Sequence, residues 1–151
     1  MEYKSRGLYF EDFQIGEEFI SAKRTITEAD ILGFAELSGD YNAIHTDTVF
    51  AENSIYDERI AHGLLGLSIV SGLAARLGFT EGTTIAWRNI KWKFKLPIKI
   101  MDSIQASYKV ERKKDLGEKK SGLINFNVKV INQNGLAVQT GSWMIVLEKR
   151  G

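Results

Sequence analysis

The stretch from Gly63 to Ala75 limits how this chain can fold more than any other segment. It is the most apolar run in the sequence, broken only by Gly66, Ser68, Ser71 and Gly72 and closed by Arg76. It falls well short of the ~20 apolar residues that span a bilayer, so it is expected as a buried, glycine-started helix from Gly63 to Leu77. Apolar residues cover most of its circumference, and a helix of that kind has to be wrapped on several sides. A curved sheet would wrap it.

The second half supplies such a sheet. Ile104, Ala106, Tyr108 and Val110 alternate with polar residues, as do Ile124, Phe126, Val128 and Val130, which is the period of half-buried strands. Asn134-Gly135 predicts a two-residue hairpin into a strand from Val138 to Leu147. Between Thr83 and Phe94 the apolar phase slips from Ile85 and Trp87 to Ile90, Trp92 and Phe94, so a bulge is expected near Arg88 and Asn89. The loop Lys113 to Ser121 is charged and expected in solvent. Four strands in antiparallel succession result.

Ahead of the apolar helix, Glu18 to Ile26 alternates like a strand. Thr27 is placed as the N-cap of a helix with Ile31, Phe34, Ala35 and Leu37 at helical spacing and a stop at Gly39. A short helix is expected near Thr48 to Asn53. Without a linker, a repeat or any proline besides Pro97, the chain is taken as one α+β domain, 1–151, with helix and sheet in two layers.

The absence of cysteine excludes a disulfide framework, a thiolate metal site and a catalytic thiol, and suits a reducing compartment. Met1 to Gly7 is polar and carries no apolar signal, so a cytoplasmic protein without a membrane anchor is expected. Net charge is +1, but residues 1–80 hold six Lys/Arg against thirteen Asp/Glu and residues 81–151 hold fourteen against six. A basic half suits an anionic ligand, and solvated strand faces also produce one. No nucleic-acid-binding motif accompanies the basic strands.

The two histidines sit in unusual surroundings. In Ser38-Gly39-Asp40-Tyr41-Asn42-Ala43-Ile44-His45, a loop brings Asp40, Asn42 and His45 close in sequence. An Asp beside a His can orient the imidazole and exchange protons with a water held between them. The same residues would also serve as an ordinary turn, with Asp40 and Asn42 satisfying backbone N–H groups. In Ile60-Ala61-His62-Gly63, the histidine leads into the apolar helix, whose first-turn N–H groups lack internal partners and can stabilise a carbonyl gaining negative charge. Gly63 equally allows tight packing of that helix end. Asp40, His45, Asp47 and His62 are metal-ligand types without a recognised spacing, and no metal is expected.

Together, Ser-Gly-Asp-x-Asn-x-Ile-His and Ile-Ala-His-Gly, followed by an apolar helix and a strand-rich second half, resemble the MaoC-like dehydratases, which include the (R)-specific enoyl-CoA hydratases. The resemblance runs from the Phe10 to Gly16 lead-in to the last strand. It implies the hot dog fold, an antiparallel sheet around one long helix, and at least a homodimer with sheets joined edge to edge. It also implies that Asp40 and His45 are the catalytic pair, Asn42 their polar partner and Gly63 the oxyanion-hole amide. Ser71 and His62 fall among substrate-binding positions, His62 with a structural more than a catalytic role.

The implied reaction interconverts a 2-enoyl thioester and an (R)-3-hydroxyacyl thioester. Coenzyme A is expected as carrier ahead of acyl carrier protein, with no other cofactor. Lys91 and Lys93, on a basic strand with Arg88, Lys95 and Lys99, are candidates for its phosphates, and Tyr41, Phe50, Tyr56 and Leu65 for the acyl pocket. A hot dog thioesterase would carry a carboxylate on or near its central helix, and Gly63 to Leu77 has none. A non-catalytic acyl-thioester binding module would not need the intact Asp40/His45 pair.

Overall fold

The computed structural model describes residues 2–117 and 120–151. After a 3-10 turn at Phe10–Asp12, the chain forms β1 (Glu18–Ile20), β2 (Arg24–Thr25), α1 (Glu28–Ser38), α2 (Ala43–Thr46) and α3 (Thr48–Glu52). Then follow α4 (Gly63–Leu77), β3 (Thr84–Phe94), β4 (Ser103–Asp115), β5 (Ser121–Ile131) and β6 (Ala137–Glu148). The strands pair antiparallel in the order β1-β4-β5-β6-β3, with β2 also on β4. The long helix lies against one face of this sheet.

The alternating residues build the core as their period requires. Ile104, Ala106, Tyr108 and Val110 of β4 and Ile124, Phe126, Val128 and Val130 of β5 are all buried, and they share one core with Leu65, Val70 and Ala74 of α4. The Tyr108 hydroxyl donates to the Val70 carbonyl at 2.6 Å, and burial pushes its pKa up, so it stays a donor at any ordinary pH. α1 begins in a capping box, with Thr27 Oγ1 accepting from Asp30 N and the Asp30 carboxylate accepting from Thr27 N. Among the described residues, no helix is long and apolar enough to cross a membrane.

Several expectations are corrected. Glu18 to Ile26 forms two short strands rather than one, because the buried Ser21 hydroxyl takes the Ala106 N–H between them. The strands are not a simple succession: β3 crosses to pair with β6 while β4 lies at the other side of the sheet. Its expected bulge is present between Trp87 and Asn89, with another between Thr84 and Ala86. The hairpin turn runs over five residues, since Asn132 Oδ1 accepts from both Asn134 N and Leu136 N before β6 begins. Leu37 points to solvent at 86% exposure, on the side of α1 away from Ile31 and Ala35. The charged loop is shorter than expected, as β4 reaches Asp115 and β5 starts at Ser121, and Glu118 and Lys119 in it lie outside the described residues.

The wrapping of α4 is also incomplete. The sheet covers one side, while Leu64 is 60% exposed, and Trp87, Ile90 and Phe94 on the edge strand β3 are 43%, 43% and 55% exposed. Both apolar surfaces border the same cleft between α4 and β3.

Arg6–Glu81, Arg150–Asp12 and Lys149–Asp115 ion pairs tie the chain ends to the body. The partner side chain's hydrogen bond is the main cause that lowers the carboxyl pKa of Glu81, Asp12 and Asp115. A carboxylate with a depressed pKa stabilises the fold above its ordinary value and ceases to do so as pH falls through the depressed one. Melting temperature is therefore expected to hold from neutral pH down to about pH 4 and to fall below it, less steeply in high salt. Thermal melts at a series of pH values check this; a melting temperature unchanged at pH 2.5 would contradict it.

Candidate active site

α1 stops because Gly39 turns left-handed, φ 80°, and its N–H returns to the Ala35 carbonyl. Ser38 Oγ then accepts from Asp40 N at 3.1 Å and sets the start of the next turn. Asp40 Oδ1 accepts from both Asn42 N, at 3.1 Å, and Asn42 Nδ2, at 2.8 Å. The second carboxylate oxygen takes no protein donor among the described residues. The Asn42 backbone hydrogen bond is the main reason the Asp40 pKa lies below its ordinary value; partial burial opposes this, and the Asn42 side chain and the His62 and His45 imidazoles reinforce it.

His45 belongs to the single turn α2 rather than to a loop. Its Nδ1 lies 2.7 Å from the Ile60 carbonyl. A carbonyl only accepts, so Nδ1 carries the proton and the neutral ring keeps its lone pair on Nε2. His62, 3% exposed, caps α4 and donates from Nε2 to the Asp40 carbonyl at 2.9 Å. Its ring stacks on His45 with centroids 3.9 Å apart and planes 28° apart, and Phe34 packs at 4.9 Å. His62 Nδ1 is buried without a partner among the described residues.

Gly63 opens α4, and its N–H has no acceptor among the described residues. A Cβ here would stand 2.7 Å from the Phe94 ring, so the closeness of β3 to the helix start depends on glycine. The N–H borders a cavity of about 410 Å³ whose walls include His45, Tyr56, Leu64, Phe94, Lys95 and Gln139.

The structure thus gathers Asp40, Asn42, His45, His62 and Gly63 in one place. One side-chain atom from each of Asp40, His45 and His62 lies within 4.8 Å of the others. That separation suits one water at about 2.8 Å from two partners. It suits an ion less, because an ion in the plane of one stacked imidazole stands well outside the plane of the other. Asp47 is elsewhere, accepting from Phe50 N as the cap of α3.

Other candidates separate. Ser71 lines a second, apolar groove of about 430 Å³ with Leu67, Ser68, Trp87, Ile90 and Trp143, and its hydroxyl donates to the Ser68 carbonyl. This groove follows the same α4–β3 cleft away from Gly63. Lys91 and Lys93 are not brought to the cavity: they line a groove with Glu111, Asn127, Thr140 and Ser142. Trp92 and Phe94 between and beyond them turn toward Gln139 and Gly63, so the lysines take the opposite face of β3. Lys95, past the strand's end, does reach the cavity. Of the four acyl-pocket candidates, Tyr56 lines the cavity, Leu65 is in the core, and Tyr41 and Phe50 are 59% and 55% exposed away from it.

Sequence reasoning missed Gln139, Phe94 and the Ile60 carbonyl. Gln139 had a signal, since it is a polar residue in phase with the core-facing Trp143, Ile145 and Leu147.

The family model of the MaoC like domain matches residues 12–132. The chain belongs to this family. This MaoC-like chain is 39% identical over 103 residues to the (R)-specific enoyl-CoA hydratase of Rhodospirillum rubrum, covering 68% of this chain and 69% of that one. It is 36% identical to the 3-hydroxybutyryl-CoA dehydratase of Methylorubrum extorquens, covering 70% and 65%. It is 38% identical to Protein MaoC of Klebsiella aerogenes, covering 70% of this chain but only 31% of that longer protein.

Among solved structures, a protein of Archaeoglobus described as a monoamine oxidase regulatory protein superposes with TM-score 0.89 at 38% identity, covering 96% and 97% of the two chains. A Mycobacterium tuberculosis protein with a double hot dog fold superposes with TM-score 0.85 at 16% identity, covering 95% of this chain and 45% of its own. The MaoC-like fold here is the hot dog fold, as the resemblance implied.

Proposed function

We propose that this protein is a hydro-lyase that interconverts a trans-2-enoyl-CoA and an (R)-3-hydroxyacyl-CoA. The observation that carries the reading is an imidazole with a free Nε2 and an unpartnered helix-start N–H on one cavity, with the Asp40 carboxylate beside that imidazole, within 4.8 Å of a ring nitrogen. Asp40 and His45 hold one water and take up a proton as its oxygen bonds to the β-carbon. The double-bond electrons move toward the thioester oxygen, where the Gly63 N–H stabilises the developing charge. The proton is then delivered to the α-carbon, and dehydration runs the same steps backwards. The (R) outcome rests on the names of the relatives.

The acyl tail follows the apolar α4–β3 cleft past Ser71, and a second copy of the chain closes the cleft by pairing its β3 edge with this one. The relatives' names support the hydro-lyase reading, and the helix without a carboxylate leaves a thioesterase without support. Mixing the protein with crotonyl-CoA tests the function: loss of the conjugated enoyl thioester absorbance without release of free thiol is expected. Thiol release, or no change of either kind, would overturn the proposal.

Lys95 at the cavity mouth takes the phosphate-binding part first assigned to Lys91 and Lys93. Lys95→Ala is expected to raise KM for crotonyl-CoA about three- to tenfold with kcat nearly kept, and to change nothing for a crotonyl thioester lacking phosphates, since a lysine–phosphate contact is electrostatic and exposed. Steady-state kinetics on the two substrates check this.

A further inference from the structure

We infer that Gln139 is a positioning residue for the proposed reaction, clamping the Gly63 end of α4 so that its N–H is aimed at the thioester oxygen, with Trp92 fixing the direction of the clamp. Gln139 is 2% exposed and borders the same cavity as His45 and Gly63. Its Oε1 accepts from Trp92 Nε1 at 3.0 Å and its Nε2 donates to the Gly63 carbonyl at 3.0 Å. An indole N–H only donates. The amide oxygen must therefore face Trp92, and the amide nitrogen is left facing Gly63. The polarity of the chain Trp92, Gln139, Gly63 admits one arrangement.

The need for a clamp follows from Gly63 itself. The Phe94 ring stands where a Cβ would go, so any other residue there has to push it aside. Glycine is also the residue that orders least readily, and here it is the first of its helix, where the N–H groups lack partners. A frayed first turn would spread the N–H over many directions, whereas an oxyanion donor works by being aimed beforehand. The Gln139 bond holds the peptide on one side of Gly63. His62, bonded to the Asp40 carbonyl, holds the residue on the other. Gly66 leaves room for the amide, since a Cβ there would stand 2.5 Å from Gln139 Nε2.

The inference rests on the hydratase reading for its kinetic part. Gln139→Leu removes both hydrogen bonds at similar volume, and Trp92→Phe removes only the donor that sets the amide. With crotonyl-CoA, Gln139→Leu is expected to lower kcat about 10- to 100-fold with KM within about twofold, and Trp92→Phe about three- to tenfold, the pattern of a lost transition-state interaction. The double variant should be no slower than Gln139→Leu alone, because the two act in series. The carbonyl 13C resonance of Gly63, which senses its hydrogen bond, should move in both variants.

A folded Gln139→Leu with wild-type kcat, or with KM alone raised, would overturn the clamp. Should Gln139→Leu not fold, Trp92→Phe decides: wild-type kcat with an unmoved Gly63 resonance overturns it equally. A wild-type protein inactive on enoyl thioesters removes the proposed function, and the resonance then judges the clamp alone. An active wild type with an equally active Gln139→Leu removes the clamp and spares the function.

Discussion

Asp40→Asn is expected to yield a folded protein that hydrates crotonyl-CoA at least about a thousandfold more slowly, within the range for loss of a positioned general base. Asparagine has the shape of aspartate and keeps an oxygen to accept from Asn42 N, so the turn after α1 survives. What is lost is the capacity to take a proton from the water. The depressed Asp40 pKa adds a sign. The base is the ionised form, so Asp40's contribution is present at neutral pH and is lost as pH drops through a value below the ordinary carboxylate one. Circular dichroism and turnover measured on the same sample separate loss of chemistry from loss of fold. Turnover within tenfold of wild type would remove Asp40 from the mechanism.

Gly63→Pro should be comparably severe, for a reason that leaves the helix standing. Proline is well tolerated as the first residue of a helix, where its missing N–H breaks no internal bond. His62, with φ −57° and ψ 134°, already has the extended backbone a residue before proline prefers. The substitution deletes the N–H proposed for the oxyanion hole, and kcat is expected to fall about 10²- to 10³-fold. Proline also brings a Cβ against Phe94. Gly63→Ala brings the same carbon and keeps the N–H, so the ratio of the two rates isolates the hydrogen bond. Phe94 is 55% exposed and can swing aside, which limits the loss in Gly63→Ala to about tenfold. Equal kcat for the two variants would mean that the N–H does no catalytic work.

The paired motifs were legible because their geometry is local. Gly39 ends α1 and Asn42 bonds Asp40 within a few residues, so sequence neighbours determine how the carboxylate is presented. Gly63 as the start of α4 followed from the apolar run itself. Lys91 and Lys93 lie away from the cavity because a strand shows alternate residues to opposite faces, and the sequence did not say which face would meet the site. Alternation alone puts both lysines opposite Trp92; that the Trp92 and Phe94 face is the one turned to Gln139 and Gly63 was decided by the packing of β3 beside α4. Leu37 had helical spacing that only loosely matched, and packing chose Ile31 and Ala35 instead.

By itself the sequence determined the strand periods, the apolar helix and the two motif turns, all set by interactions within a few residues of one another. Only the tertiary structure decided that His45 donates to the Ile60 carbonyl, that His62 stacks on His45, and that Gln139 of the last strand reaches the first residue of α4. Those contacts join groups as many as 76 positions apart. No local pattern encodes such distances; they arise when the sheet and helix bury their apolar faces against each other and bring the polar groups between them within hydrogen-bond reach.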